Sequence, residues 1–156
     1  MDTSNYCKID DINKLKYYHS DNVRWLDPVN DYELIKEYFR FFNVHSTTDT
    51  YFGISLDNMK EDWSDNKAAI GKLCAYIENN EIFSFAGVEY ISSEAWEIRA
   101  VSSRPDRQNQ GYSKFVCSFV AKYILKMGKQ AICETNISNH AMQSVTKKIG
   151  MVKYDP

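Results

Sequence analysis

The sequence has little proline and glycine, with 3 prolines and 6 glycines in 156 residues. A composition so poor in both residues argues against a collagen-like or low-complexity chain. Paired cysteines are also lacking: none of the 4 cysteines stands in a C-x-x-C motif, so neither a zinc site nor a disulfide framework is predicted. We expect buried free thiols at all of these positions: Cys7, Cys74, Cys117 and Cys133.

Long apolar runs are absent as well. No segment approaches the roughly 18 apolar residues that span a bilayer, and residues 1–5 lack the basic start of a signal peptide. We therefore expect a cytoplasmic protein with no membrane partner. The 3 histidines show no metal-ligand spacing, so no metal is expected. The length of the chain suits a single domain.

Charge is distributed unevenly, although the formal net charge is only -2. Residues 1–66 carry a net charge of -6, and residues 67–156 carry +4. This split suits an anionic cofactor on the C-terminal part and a cationic acceptor on the N-terminal part, or simply two solvated faces. Because the basic residues are dispersed, we do not expect nucleic acid as a partner.

The first sixty-odd residues are predicted to be mainly helical. Within them, residues 31–42 begin with an N-cap residue, Asn30 or Asp31, and place apolar side chains at helical spacing. The predicted apolar face consists of Leu34, Tyr38 and Phe41, flanked by Ile35 and Phe42.

From Lys72 the pattern becomes that of strands. Residues 72–78 and 81–91 flank Asn79-Asn80, and asparagine tolerates the positive φ of a two-residue hairpin turn. Residues 95–103 form a third predicted strand, which ends before Pro105.

The C-terminal third reads as helix, strand, helix. An apolar stripe from Tyr112 to Met127, with Lys114, Ser118, Lys122 and Lys126 opposite, predicts an amphipathic helix that stops at Gly128. A short strand over residues 130–135 should lie parallel to the third strand, because a helix crosses over between them. A last helix, about 141–149, should end at Gly150.

The segment from Gln108 to Ser113 is the most informative one. A strand that turns into a helix through a glycine exposes unpaired backbone N–H groups at the positive end of the helix dipole. Such a segment favours a bound phosphate, although alone it is also typical of a tight corner.

Residues 72–151 resemble the GNAT superfamily of acetyl-coenzyme A dependent N-acetyltransferases. Gln108-x-x-Gly111-x-Ser113 is similar to the family's pyrophosphate motif, Q/R-x-x-G-x-G/A, and Pro105 precedes it as in the family. Asn139 and Gly150-Met151 resemble the second motif, an asparagine and a G-F pair on either side of a helix. Ser113 departs from the small Gly or Ala of the family.

The resemblance implies an α/β (α+β) GNAT fold over residues 1–156. Its sheet is mixed and mostly antiparallel, with a parallel pair splayed around the cofactor site and helices on both faces. Residues 1–66 would form the acceptor side and residues 72–151 the cofactor-binding core. Only 6 residues follow Gly150, so the N-terminal region or a partner chain is expected to complete the sheet.

The resemblance also implies an acetyl-coenzyme A site. The pyrophosphate would lie on the loop N–H groups, the pantetheine arm would run along the third strand, and the Val101 N–H would meet the thioester oxygen. Asn139 would contact the arm, unless it serves only as the cap of the last helix. The full set is Ala100, Val101, Ser102, Ser103, Gln108, Asn109, Gln110, Gly111, Tyr112, Ser113 and Asn139.

Two residues are candidates for catalysis. Glu97 lies where the histone-acetylating relatives carry their base, and alternation would put it on one face with Arg99 and Val101. An ion pair with Arg99 is the structural alternative. Thr146 occupies the position at which many relatives carry an acidic tyrosine, but a threonine hydroxyl is a poor proton donor. Tyr154, Tyr112 or solvent are the alternatives.

The predicted function is therefore acyl transfer by a GNAT-type N-acyltransferase. Acetyl would pass from acetyl-coenzyme A to a primary amine of a small molecule or peptide, by direct attack in a ternary complex. The alternatives are a non-catalytic coenzyme A binding or sensing domain, and an interaction module that uses an open sheet edge. A homodimer is left open.

Overall fold

The computed structural model describes residues 3–42, 50–51, 54–55 and 70–156. These residues form nine strands, three α-helices and two short 3-10 turns. In chain order the strands and helices are β1 (Ser4–Ile9), β2 (Val23–Trp25), α1 (Tyr32–Arg40), β3 (Thr50–Tyr51), β4 (Ile54–Ser55), β5 (Ile70–Glu78), β6 (Glu81–Glu89), β7 (Ala95–Ser103), α2 (Ser113–Lys126), β8 (Gln130–Asn136), α3 (His140–Lys148) and β9 (Val152–Lys153).

A seven-stranded sheet organises the chain, in the order β2-β5-β6-β7-β8-β1-β9. Its neighbouring strands are antiparallel except for β7 and β8, which are parallel. The short strands β3 and β4 pair separately. The predicted mixed, mostly antiparallel sheet with one parallel pair is therefore confirmed.

The predicted hairpin joins β5 to β6. Asn79 and Asn80 have φ values of 52° and 59°, the left-handed region that a two-residue turn requires. The pairing of Glu78 with Glu81 closes the hairpin directly beside this turn.

Helix α2 covers one face of the sheet. Its fully buried side chains pack on a core that strands from both halves of the chain supply. One prediction about this helix is wrong: Ser118 is fully buried rather than on the polar face, and its hydroxyl accepts the Tyr18 N–H at 3.2 Å. The buried helix residues are Val116, Cys117, Ser118, Val120, Ala121 and Ile124.

Helix α1 covers the opposite face, so helices lie on both sides of the sheet as predicted. Its buried side chains are Ile35, Tyr38 and Phe39, whereas Phe41 is 47% exposed. The predicted apolar face is thus partly wrong. The helix ends at Arg40, so Phe41 lies beyond its last turn.

The prediction that residues 1–66 are mainly helical is also wrong for the described part of this region. Strand β1 lies between β8 and β9 and pairs with both of them, and β2 forms the opposite edge of the sheet beside β5. The N-terminal region therefore completes the sheet, which is one of the two possibilities that the sequence left open. All 4 cysteines are free and buried, as predicted.

Gly150 allows the N-terminal segment to pack against the end of α3. Its φ is 99°, and a Cβ atom there would lie 2.5 Å from the carbonyl oxygen of Lys14. The neighbouring Lys16 N–H donates to the carbonyl of Ile149 at 3.0 Å, so this backbone is fixed.

Gly150→Ala is expected to destabilise the protein by about 3 kcal/mol and to lower Tm by about 6–12 °C, because strain and a backbone clash coincide. Gly128→Ala is the matched control, since Gly128 has a φ of 76° but nothing within 4 Å of its Cβ position. Thermal unfolding of both variants measures the two changes in Tm. An equal fall in Tm for the two variants would contradict the proposed clash at Gly150.

Candidate active site between the splayed strands

The two parallel strands separate partway along their length. They pair only where Ala95–Glu97 faces Gln130–Ile132. Beyond these residues the gap holds a cavity of about 460 Å³. Its lining comes from both strands, from α3 and from the N-terminal strand: Ser4, Glu97, Ile98, Arg99, Ala100, Val101, Cys133, Glu134, Thr135, Asn136, Asn139 and Met142.

A second cavity, of about 260 Å³, continues the first toward the loop before α2. Both cavities are lined by Val101, Asn139 and Met142, so together they form one groove. The other residues of the second cavity are Ser102, Ser103, Gln108, Asn109, Ser113, Ala141 and Val145. The groove therefore joins the predicted phosphate loop to Glu97.

The loop at the end of this groove has the backbone of an anion site. Asn109 and Gly111 take φ values of 62° and 85°, and α2 begins at Ser113 without a side-chain cap. The first N–H groups of α2 are thus not capped by the preceding side chain, and the helix dipole adds positive potential there. The Lys114 amino group lies 3.7 Å from the Cβ position of Gly111 and adds a full positive charge.

A bulge in β7 decides which side chains face each side of the gap. Ala100 has a φ of 57°, and the β6–β7 register shifts near it. As a result Ile98 belongs to the core cluster under α2, but Ala100 belongs to the cluster under α1. The prediction that Val101 shares a face with Glu97 is therefore wrong, since Val101 packs against the α2 cluster.

Glu97 is a buried carboxylate in the wall of the larger cavity. It is 6% exposed, accepts the Glu134 N–H at 3.3 Å, and lies 3.5 Å from the Arg99 guanidinium, which also contacts Glu89 at 3.2 Å. Burial raises the pKa of Glu97 above its ordinary value, and Arg99 partly opposes the shift. The position in the cavity and the ion pair with Arg99 thus coexist.

The thiol in the cavity wall is chemically unreactive. Cys133 lines the same cavity, but burial raises the pKa of its thiol to about 12. It therefore stays protonated near neutral pH and is a poor nucleophile.

Comparisons with known proteins point to one fold. Residues 83–156, a little under half of the chain, match the family model of FR47-like proteins. A GNAT-family protein from Novosphingobium aromaticivorans superimposes with a TM-score of 0.72 at 10% identity, covering 97% of this chain and 59% of that one. The chain has the GNAT fold. The GNAT fold that the sequence resemblance implied is thereby confirmed.

Other GNAT structures agree. An acetyltransferase from Colwellia psychrerythraea has a TM-score of 0.67 at 13% identity and covers 96% of this chain and 52% of that one. The aminoglycoside N-acetyltransferase AAC(6')-Iy in complex with CoA has a TM-score of 0.63 at 14% identity, with coverages of 86% and 89%. This chain spans between half and three fifths of the first two structures. No curated protein matches the sequence significantly.

Ser113, the departure from the GNAT motif, has a partner in the structure. Its hydroxyl lies 3.1 Å from that of Ser103, which donates to Ser84 at 3.1 Å. Ser84 in turn donates to the Ser102 carbonyl at 2.8 Å. The extra hydroxyl thus ties the start of α2 to β6 and β7.

Three other predicted cofactor residues have side chains with internal partners. The Ser102 hydroxyl lies 2.6 Å from that of Tyr38, toward α1, and the Gln110 amide donates to the Asp106 carbonyl at 3.3 Å. The Tyr112 ring packs 4.7 Å from that of Tyr76. Gln110 and Tyr112 line neither cavity, so only their backbone is placed to contribute to the loop.

Asn139 caps a helix and also lines the groove. Its side-chain oxygen accepts the Met142 N–H at 3.1 Å and so caps α3. The same residue lines both cavities, and its contact with the cofactor arm stays a prediction.

Thr146 lies away from the groove. It is 2% exposed, its hydroxyl donates to the Gln143 carbonyl at 2.9 Å, and it lines neither cavity. Burial, with the charge of Glu97 as the next cause, raises the pKa of the Tyr154 phenol. A raised pKa makes that phenol a weaker acid.

Glu134 and Thr135, both on β8, line the larger cavity but had no sequence signal as site residues. Among the described ranges no group of three His, Cys, Asp or Glu is arranged to hold a metal ion. Within the same ranges no helix has the length and apolar content to cross a membrane.

Proposed function

We propose that this protein transfers the acetyl group of acetyl-coenzyme A to a primary amine, by direct attack in a ternary complex. The observation that carries the proposal is the continuous groove from the loop before α2 to the buried Glu97. GNAT acetyltransferases share its fold, and one of them was solved with CoA. The whole activity is a proposal, because this chain is much shorter than several of those structures.

The loop suits the pyrophosphate of coenzyme A. Backbone N–H groups from Asn109 to Ser113 lie at the positive end of α2, and Lys114 adds a charge beside Gly111. The pantetheine arm would then lie in the groove beside Val101 and Asn139, with its thioester at the larger cavity. β8 does not pair with β7 there, so the edge of β7 is available to the arm.

In the reaction the amine nitrogen forms a bond to the thioester carbon while the carbon–sulfur bond breaks. Glu97 takes the proton that the amine must lose, directly or through water, and the coenzyme leaves as a thiolate. The backbone at Val101 is the proposed donor to the developing oxyanion. Because a thiol has a pKa of about 8.5, the thiolate can leave with solvent as its proton source. We therefore assign no role to Thr146.

A non-catalytic coenzyme A sensor is the second candidate, and one observation favours it. Thr146 occupies the position at which many GNAT enzymes carry a tyrosine general acid, and it is buried and hydrogen-bonded to its own helix. That the acceptor is a small molecule or a peptide remains a prediction. A homodimer also remains a prediction.

Calorimetric titration with acetyl-coenzyme A, followed by thiol release over a panel of primary amines, separates the candidates. We expect a Kd of about 1–100 μM, which corresponds to roughly 5–8 kcal/mol, and thiol release with at least one amine. Binding without turnover across the panel would favour the sensor. Failure to bind acetyl-coenzyme A would overturn both.

A further inference from the structure

Thr135 has a hydroxyl that the protein does not satisfy. The residue is 6% exposed, and its Oγ1 has no hydrogen-bond partner in the described chain. It also lines the larger cavity. A buried hydroxyl without a partner costs stability, so such groups usually have a ligand or an ordered water.

The position of Thr135 in the strand shows which side of the gap it faces. On β8, Thr135 alternates with Glu134, whose N–H bonds to Glu97. It therefore shares a face with Cys133, which packs in the core cluster under α2. Thr135 thus lies on the side of α2 and α3, whereas Glu97 faces the other side of the sheet.

The shape of the groove indicates that the cofactor arm is the partner of the Thr135 hydroxyl. Its two cavities share Val101, Asn139 and Met142 in their walls, and Thr135 lines the larger cavity together with these residues. A chain that runs from the loop to Glu97 passes this point. The pantetheine arm carries amide N–H and C=O groups, and a hydroxyl can donate to one or accept from the other.

We propose that the Thr135 hydroxyl hydrogen-bonds to the pantetheine arm of the coenzyme A substrate, on the face of the gap opposite Glu97. This inference rests on the proposed function, since it assumes that coenzyme A occupies the groove. Thr135 is then a binding residue for coenzyme A, and the acceptor amine approaches from the opposite face of the gap.

The test is Thr135→Val, which keeps the shape and removes the hydroxyl. Without ligand, Tm should rise by about 3 °C, because an unsatisfied buried group is lost. Affinity for coenzyme A should fall about 10-fold. Affinity for adenosine 3′,5′-bisphosphate, which lacks the arm, should not change. Thr135→Ser, which keeps the hydroxyl, should bind coenzyme A like the wild type.

Ser118→Ala is the matched control for a buried hydroxyl with partners. Ser118 donates to the Phe115 carbonyl and accepts the Tyr18 N–H, so its removal should lower Tm and leave the affinity for coenzyme A unchanged. A lower Tm for ligand-free Thr135→Val would mean that the hydroxyl has a structural role and would overturn the inference. Wild-type affinity of Thr135→Val for coenzyme A would also overturn it while leaving the proposed function intact. A wild type that binds no coenzyme A would overturn both.

Discussion

Glu97→Gln is expected to lower the turnover of amine acetylation about 10²–10⁴-fold near neutral pH, the usual contribution of a general base. The amide has nearly the same shape and can still accept the Glu134 N–H, but it cannot take a proton from the amine. Binding of acetyl-coenzyme A should be unchanged, because the predicted phosphate loop lies at the other end of the groove. Steady-state kinetics and calorimetry on the same preparation measure the two quantities.

The pH profile distinguishes a base from a structural ion pair. Burial raises the pKa of Glu97, so the acid limb of kcat/KM should lie at higher pH than for an ordinary glutamate. Activity should rise with pH through this limb, because only the ionised carboxylate accepts a proton. The limb should be missing from the residual activity of Glu97→Gln.

Substitutions of two charged neighbours of Glu97 should move the acid limb of the pH profile in opposite directions. Arg99 lowers the pKa of Glu97, so Arg99→Gln should shift the limb to higher pH. Glu89 raises that pKa, so Glu89→Gln should shift the limb to lower pH. Full activity of Glu97→Gln, or a limb that neither neighbour moves, would leave Glu97 as the ion-pair partner of Arg99 only.

The parts of the fold that sequence predicted are those fixed by local chemistry. Asn79-Asn80 set the hairpin and the ends of β5 and β6, and β7 has the predicted bounds, ending just before Arg104-Pro105. The strand, helix, strand order from β7 to β8 predicted the parallel pair, and the resemblance to the GNAT superfamily implied the gap. The phosphate loop could be predicted for the same reason, since its residues are consecutive.

The parts that sequence missed depend on distant partners. Strand β1 has only Cys7 and Ile9 buried, too few for a recognisable pattern, and its partners β8 and β9 lie at the other end of the chain. Ser118 is buried, and its hydroxyl accepts a hydrogen bond from Tyr18 in the distant N-terminal region.

Within the site, the bulge at Ala100 is the clearest example. A non-glycine residue at positive φ is uncommon, and nothing in an alternating strand sequence marks it. It nevertheless changes which residues face Glu97. Thr135 was missed for a related reason: burial and the lack of a partner are properties of the folded groove.

Gly111→Glu is expected to weaken the binding of acetyl-coenzyme A by at least about 100-fold, or roughly 2.7 kcal/mol. The new carboxylate would sit among the N–H groups at the start of α2, where the pyrophosphate is proposed to bind. It would also lie within reach of Lys114, whose amino group is 3.7 Å from the Cβ position. The variant thus carries its own anion in the site, and calorimetry measures the loss.

Strain alone does not explain such a loss, and the chain offers a matched control at the other end of α2. Gly128 has a φ of 76°, similar to the 85° of Gly111, and nothing lies within 4 Å of its Cβ position. Gly128→Glu therefore introduces the same side chain with comparable backbone strain. It should lose stability, since a negative charge is unfavourable at the C-terminal end of a helix, but it should bind acetyl-coenzyme A like the wild type.

Gly111→Ala completes the comparison, because it keeps the strain at the loop without the charge. We expect it to weaken binding much less than Gly111→Glu, since an ordinary contact with Lys114 accommodates a methyl group. The defect of Gly111→Glu should also differ from one of folding: its far-ultraviolet circular dichroism should match that of the wild type. Equal affinities for the glutamate variants at positions 111 and 128 would remove the anion site from this loop, and with it the proposed acetyltransferase.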